Sequence, residues 1–219
     1  SYDFHAAEVL QSVVESRKGG ETGVAEVRFV EGDDFQKTAE AGLWSPKLAD
    51  AAIAANPVFA GTSSLRELSD HPKFGKRKPH GILVTYRNGL KAFVIGGVGD
   101  ATTWSFSAQV VGEDRPRATS FYVGPWENRN LFKALSHAIQ AHFRGERTYP
   151  VERTLLVTGI LETAMRSRRD KEALETPQLA IAYEPTDFRA YREMGDTWKI
   201  LTPEIPQPPG LDTFGRSVS

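Results

Sequence analysis

Residues 81–123 alternate strand-like segments with tight turns, and this run restricts the chain to folds built on an antiparallel sheet. Residues 81–86 and 90–95 flank Arg87-Asn88-Gly89, whose Asn-Gly pair can take the positive φ values that a tight hairpin requires. Residues 104–111 alternate strictly, with Trp104, Phe106, Ala108 and Val110 on one face and Ser105, Ser107 and Gln109 on the other. Residues 119–123 continue the meander. Upstream, Val24, Glu26, Arg28 and Val30 alternate with Ala25, Val27 and Phe29, and residues 178–183, introduced by Thr176-Pro177, read as a last strand.

Helical patterns bracket these strands. Residues 3–17 place Ala6, Leu10, Val13 and Val14 on one side and end at Lys18-Gly19-Gly20, a glycine C-cap behind basic residues. A helix beginning so near Ser1 is expected to continue something upstream. An acid-rich helical segment follows the first strand, and Ser45-Pro46, an N-cap with proline in the first turn, opens another helix to about residue 55.

Residues 131–167 read as an αα-hairpin. Leu131, Phe132, Leu135, Ala138, Ile139 and Phe143 form one apolar stripe, with His142 at its edge and His137 expected in solvent. The second helix is apolar over more than half its circumference, leaving a flank of Glu152, Arg153, Glu162 and Arg166 for water; Gly145 and Pro150 punctuate the turn. The order of elements predicts an α+β domain over residues 1–184: an open, mostly antiparallel five- to six-stranded sheet covered on one face by helices. Residues 185–219, with Pro203, Pro206, Pro208 and Pro209, predict an irregular C-terminal arm. The polar side of residues 104–111 leaves the second sheet face to solvent, a substrate or a second subunit.

Composition excludes several function classes. With 27 Lys and Arg against 28 Asp and Glu, the net charge of −1 gives no overall field toward nucleic acid or an anionic membrane. Zero cysteines exclude disulfides, thiolate nucleophiles and Cys-bound zinc. No run of about 18 apolar residues is present, so a soluble, cytoplasmic chain is expected.

The glycine-rich run Gly96-Gly97-Val98-Gly99-Asp100-Ala101 leads into a strand pattern, whereas a dinucleotide fingerprint must lead into a helix, so it reads as a strand-to-strand loop. The five histidines, His5, His71, His80, His137 and His142, lack metal-ligand spacing; His137 and His142 would point about 140° apart on a helix. No cofactor-binding or metal-binding residues are expected. Residues 71–80 form a basic loop between two histidines, either solvated surface or an anion clamp. Asp3, His5 and Glu8 form the one short cluster suited to acid–base work, since His5 and Glu8 share a helix face and histidine titrates near neutrality; the alternative is that the acids merely complement the helix dipole.

The opening helix with Asp3-Phe4-His5-Ala6-Ala7-Glu8, the glycine turn and strand, the meander, and the closing helices through Thr148-Tyr149-Pro150-Val151-Glu152 and Met165-Arg166-Ser167 resemble the C-terminal domain of the Gfo/Idh/MocA oxidoreductases over residues 3–167. The resemblance implies an open-faced sheet that shapes a substrate pocket and makes oligomer contacts. It implies NAD or NADP only on a Rossmann half upstream, since none lies in this chain. It also implies a pocket histidine at His5 with an acid at Glu8; the family's aspartate four residues before that histidine corresponds to Ser1, with Asp3 two before it instead.

The expected function is therefore the substrate-side and assembly domain of an NAD(P)-dependent oxidoreductase-like protein acting on a sugar or polyol, unable to transfer hydride alone. Its expected partners are a small carbohydrate-like substrate and a second copy, as a homodimer or higher homo-oligomer through the sheet face, with neither nucleic acid nor membrane. Two alternatives are a non-catalytic sheet module that binds protein or carbohydrate, and a cofactor-free hydrolase or lyase using His5 and Glu8, which requires a concave pocket converging on the first helix.

Overall fold

A computed structural model describes residues 2–75, 77–100, 103–122, 129–187 and 204. The chain divides into two compact units, Ser1–Phe121 with Pro150–Pro185, and Tyr122–Tyr149 with Thr186–Ser219. The two helices read as an αα-hairpin fall in different units. Most of the proline-rich arm lies outside the described residues, as does Val123 at the end of the expected meander.

The larger unit runs α1 (Tyr2–Val14), β1 (Val24–Glu31), α2 (Asp33–Glu40), α3 (Pro46–Ala54), α4 (Leu65–Asp70), β2 (His80–Tyr86), β3 (Lys91–Gly96), β4 (Thr103–Ala108) and β5 (Arg117–Tyr122). After α5 (Arg129–Phe143) of the smaller unit come α6 (Val151–Asp170) and the short strand β6 (Leu174–Glu175). The fold is α+β as expected, with the strands divided between a four-stranded sheet of order β3-β2-β1-β6 and a two-stranded sheet of β4 and β5. Every neighbouring pair in the larger sheet is antiparallel.

Strand parity assigns the faces. Ile82, Val84 and Tyr86 of β2 stand opposite Phe29, Val27 and Val24 of β1, and Ile82 and Val84 opposite Val94 and Ala92 of β3. With Val14 of α1 and Leu156, Ile160 and Ala164 of α6 they make the main core. Each fully buried aliphatic side chain of this kind contributes roughly 1.5–3 kcal/mol. The opposite face carries a smaller cluster in which Phe93 stacks on Trp44 at 4.6 Å and Phe35 of α2 tilts against both. A Cβ at position 81 would strike the Phe93 ring, so Gly81 leaves that ring room to lie across the strand.

Local signals explain the helices. Ser45 caps α3 by accepting from Leu48 N, with Pro46 in the first turn. In residues 56–80, where no sustained period is visible, Ser64 caps α4 by accepting from Glu67 N, and Asn56 caps a 3₁₀ turn at Pro57–Phe59.

Three expectations are corrected. Residues 178–183 are not a strand: Pro177–Leu179 forms a 3₁₀ turn, and only an isolated bridge joins Tyr183 to Glu21. This segment passes so close to Gly23, at φ +88°, that a Cβ there would meet Ile181 N at 2.6 Å. Arg153 does not meet water; it is buried against Glu15, while Val151, Leu155 and Met165 on the same helix are exposed. On α5 the sides are reversed: Leu131, Phe132, Leu135, Ile139 and Phe143 are exposed, and the covered side is Lys133, Ala134, His137, Ala138 and Ala141. His142 is therefore exposed and His137 half-buried, because the small residues of the helix, not its large apolar ones, face inward.

Candidate functional site

Strands β3 and β4 are consecutive in the chain but not hydrogen-bonded to each other, and a groove of about 1300 Å³ runs along both. Asp3 of α1 and His80 of β2 line it, with Trp104 and Phe106 on β4 and Lys73 and Arg77 on the basic loop. The concave pocket beside the first helix is thus present.

β4 supplies the groove's aromatic wall because of its alternation. Its polar side is used internally: Asn56 Nδ2 donates to Thr103 Oγ1 at 3.2 Å and Ser105 Oγ at 3.0 Å, and Ser107 Oγ donates to the Leu48 carbonyl at 2.6 Å. These hydroxyls hold the α3 region while their residues still line the groove. Trp104, on the other side of the strand, stands edge-on to His5 at 5.4 Å.

His80 occupies the first position of β2, opposite Gly96 of β3. It shares parity with Ile82, Val84 and Tyr86, so it points to the face that α1 covers. There its Nε2 lies 3.2 Å from Asp3 Oδ2, within reach for an imidazole N–H donated to the carboxylate, and its ring stacks on Phe29 at 5.2 Å. Both side chains of the pair are about one quarter exposed, at 22% and 25%. A Cβ at position 96 would run into His80 Nε2 and Asp3 Oδ1, so glycine there makes room for the pair. With Nε2 committed to Asp3, Nδ1 lies beside Gly97.

Asp3 is thereby joined to a histidine 77 residues away, while His5 is exposed between Phe4 and Trp104. Glu8 is half-buried farther along α1. In the sequence His80 stands out only as the end of a basic loop; the signal that places it on the core face is its even spacing with Ile82, Val84 and Tyr86.

A second polar cluster lies at the other end of the α1–β2 interface. Tyr86 OH donates to Gln11 Oε1 at 2.8 Å, Gln11 Nε2 donates to Tyr183 OH at 2.9 Å and to Glu21, and Tyr183 OH donates to Glu15 Oε2 at 2.7 Å. Arg153 makes a bidentate pair with Glu15, and Arg17 a bidentate pair with Glu21. Gln11, Glu15, Glu21 and Tyr86 are each 3% exposed or less. Burial alone would raise the Glu21 carboxyl, but donors from Arg17, Gln11 and Gly23 N–H, with the Arg17 charge, hold it below the ordinary carboxylate range. Burial raises both tyrosine hydroxyls, aided at Tyr86 by the Glu21 charge and at Tyr183 by its hydrogen bond to Glu15. Every carboxylate here is paired and sealed, so this cluster holds α1, α6 and the 176–183 segment together and offers no surface to a ligand.

The loop after β3 leads into β4, so no helix N-terminus follows it to receive a pyrophosphate. Among the described residues, no group of three or more His, Asp and Glu side chains is placed to hold a metal ion. No helix among them is long and apolar enough to cross a membrane. Comparison with family models, curated proteins and solved structures found no match to this chain.

Proposed function

We propose that this chain is the substrate-side and assembly domain of an NAD(P)-dependent oxidoreductase-like protein acting on a sugar or polyol, with the β3–β4 groove as its substrate site. The observation that carries the reading is the Asp3–His80 pair on the groove wall, seated over Gly96 and sharing the groove with Trp104. A polyol needs a proton acceptor at a hydroxyl and an apolar surface for its C–H face. His80 Nδ1 is the acceptor in this reading, Asp3 the positioning residue that orients the imidazole, and Trp104 the stacking surface, with His5 buttressing Trp104 rather than taking the proton. The chain's own residues bind and orient substrate and move a proton; hydride transfer belongs to a nucleotide-binding half that these residues do not form.

The test is a ¹H–¹⁵N NMR titration with myo-inositol and, separately, with NADH and NADPH. Saturable shifts at Asp3, His80, Gly96 and Trp104 with the polyol and none with either nucleotide are expected. No saturable response either to myo-inositol or to a phosphorylated or carboxylated polyol, or nucleotide binding in the groove, would overturn the reading.

The assembly role draws on α5, where Leu131, Phe132, Leu135, Ile139 and Phe143 are 45–83% exposed along one face. Such a contiguous apolar face is characteristic of an interface. A monomeric mass by light scattering at micromolar concentration counts against assembly through any face, the sheet included.

A further inference from the structure

We infer that the groove has an anion seat formed by Lys73 and Arg77, so that its ligand is a polyol bearing a phosphate or carboxylate rather than a neutral sugar. This rests on the groove being the substrate site and names the class of substrate it takes.

The basic loop carries exposed cations on a braced backbone. Its backbone is tied to the glycine loop: Gly99 N donates to the Phe74 carbonyl at 3.0 Å, and Gly97, at φ +85°, lies so close to Lys78 O that a Cβ would collide with it. Phe74 is buried, edge-on to Phe59 at 4.9 Å and stacked with His71 at 4.6 Å. Gly75 N donates to the His71 carbonyl at 2.7 Å, and a Cβ on Gly75 would strike Ser69 O. Sequence-distant segments are thus packed backbone to backbone at one end of the groove, on the side where His80 stands.

Seven arginines elsewhere are compensated. Arg17, Arg117, Arg144, Arg153, Arg166, Arg168 and Arg169 each pair with a carboxylate. Among the described residues neither Lys73 nor Arg77 has a carboxylate partner, although both line the groove; Lys73 Nζ rests instead over the Phe74 ring at 4.9 Å. Of the two carboxylates that line the groove, Asp3 is turned to His80 and Asp100 lies on the glycine loop. Two exposed cations on a braced loop, lining the same groove as His80 and Trp104, are complementary to a small molecule with an oxyanion at one end and hydroxyls at the other.

The test titrates the full chain with inorganic phosphate, glucuronate and myo-inositol, followed by ¹H–¹⁵N NMR. Saturable shifts at residues 73–80 and 96–99 with phosphate assign a phosphorylated ligand; the same shifts with glucuronate but not phosphate assign a carboxylated one. In either case Kd must weaken at least about tenfold in Lys73→Ala/Arg77→Ala and rise with ionic strength in the wild type, as expected for charge-assisted contacts. Both cations are exposed, so the variant is expected to fold, which an unchanged spectrum outside the groove verifies. No saturable shift from either anion, or shifts that survive the double substitution, overturns the seat. Shifts from myo-inositol with both anions silent overturn the seat and leave the substrate groove standing; silence with all three overturns both.

Discussion

The interface between α1 and β2 has two polar ends with opposite fates. At one end Tyr86 meets Gln11 inside a network sealed by Glu15, Glu21, Arg17, Arg153 and Tyr183; at the other His80 meets Asp3 on the wall of a groove. The same strand face and the same helix supply both. What separates them is cover: Arg153 of α6 and Tyr183 close over the first, whereas the missing pairing between β3 and β4 leaves the second open. A buried polar network must be satisfied throughout or it destabilises the fold, while a pair with a quarter of its surface in solvent can exchange protons and partners.

The sealed end should break hardest. Arg153→Met leaves the Glu15 carboxylate buried without its cation and should cost about 3–5 kcal/mol in urea unfolding, with Glu15→Gln added to it restoring a large part. Next comes Gly96→Ala, whose Cβ must displace Asp3 or His80; a loss of about 1–3 kcal/mol is expected, together with weakened ligand response in the groove.

Tyr183→Phe removes a hydroxyl that both donates to Glu15 and accepts from Gln11, for about 1–3 kcal/mol. It should also flatten the alkaline limb of the stability curve. With tyrosine protons held more tightly in the folded chain than in the unfolded one, stability is complete below the ordinary tyrosine value of about 10 and is lost as pH rises above it. Glu21 acts with the opposite sign: its lowered pKa gives stability that is present above the ordinary carboxylate range and lost as pH falls below it. Denaturant midpoints measured from pH 3 to 11 would reveal both limbs, and a flat profile would contradict the sealed network.

The smallest expected effect on stability is at the open end. His80→Asn should change unfolding by about 1 kcal/mol or less, because the pair it removes is partly solvated. Under the proposed function it removes the proton acceptor, so turnover should be lost while binding is retained. Equal losses in stability at His80 and Arg153 would erase the distinction between the two ends.

Residues that obey a single period were readable in advance. The Asn88-Gly89 hairpin, the alternation of β4 and the Ser45-Pro46 cap each depend on a few neighbours, and each stands as expected. The pairings that make the candidate site do not. Asp3 finds His80 across 77 residues and Glu15 finds Arg153 across 138, distances over which no local pattern operates. Arg153 was read as solvent-facing because arginine on a helix flank ordinarily is, and only a buried carboxylate opposite it reverses that. The α5 stripe misled for a related reason: amphipathicity says that a face seeks cover, not which covering it finds.

The segment after α6 has a consequence in time rather than space. Thr176 Oγ1 donates to the Val24 carbonyl, Thr176 N to the Ala25 carbonyl, and Tyr183 reaches Glu15 and Gln11, over 150 residues back along the chain. As the chain is synthesised, β1, β2 and β3 emerge long before the residues that close their core and satisfy Glu15. Until α6 and then Tyr183 have left the ribosome, the nascent sheet has a partly uncovered apolar face and Glu15 lacks first Arg153 and then Tyr183, so the core and its polar network are completed late.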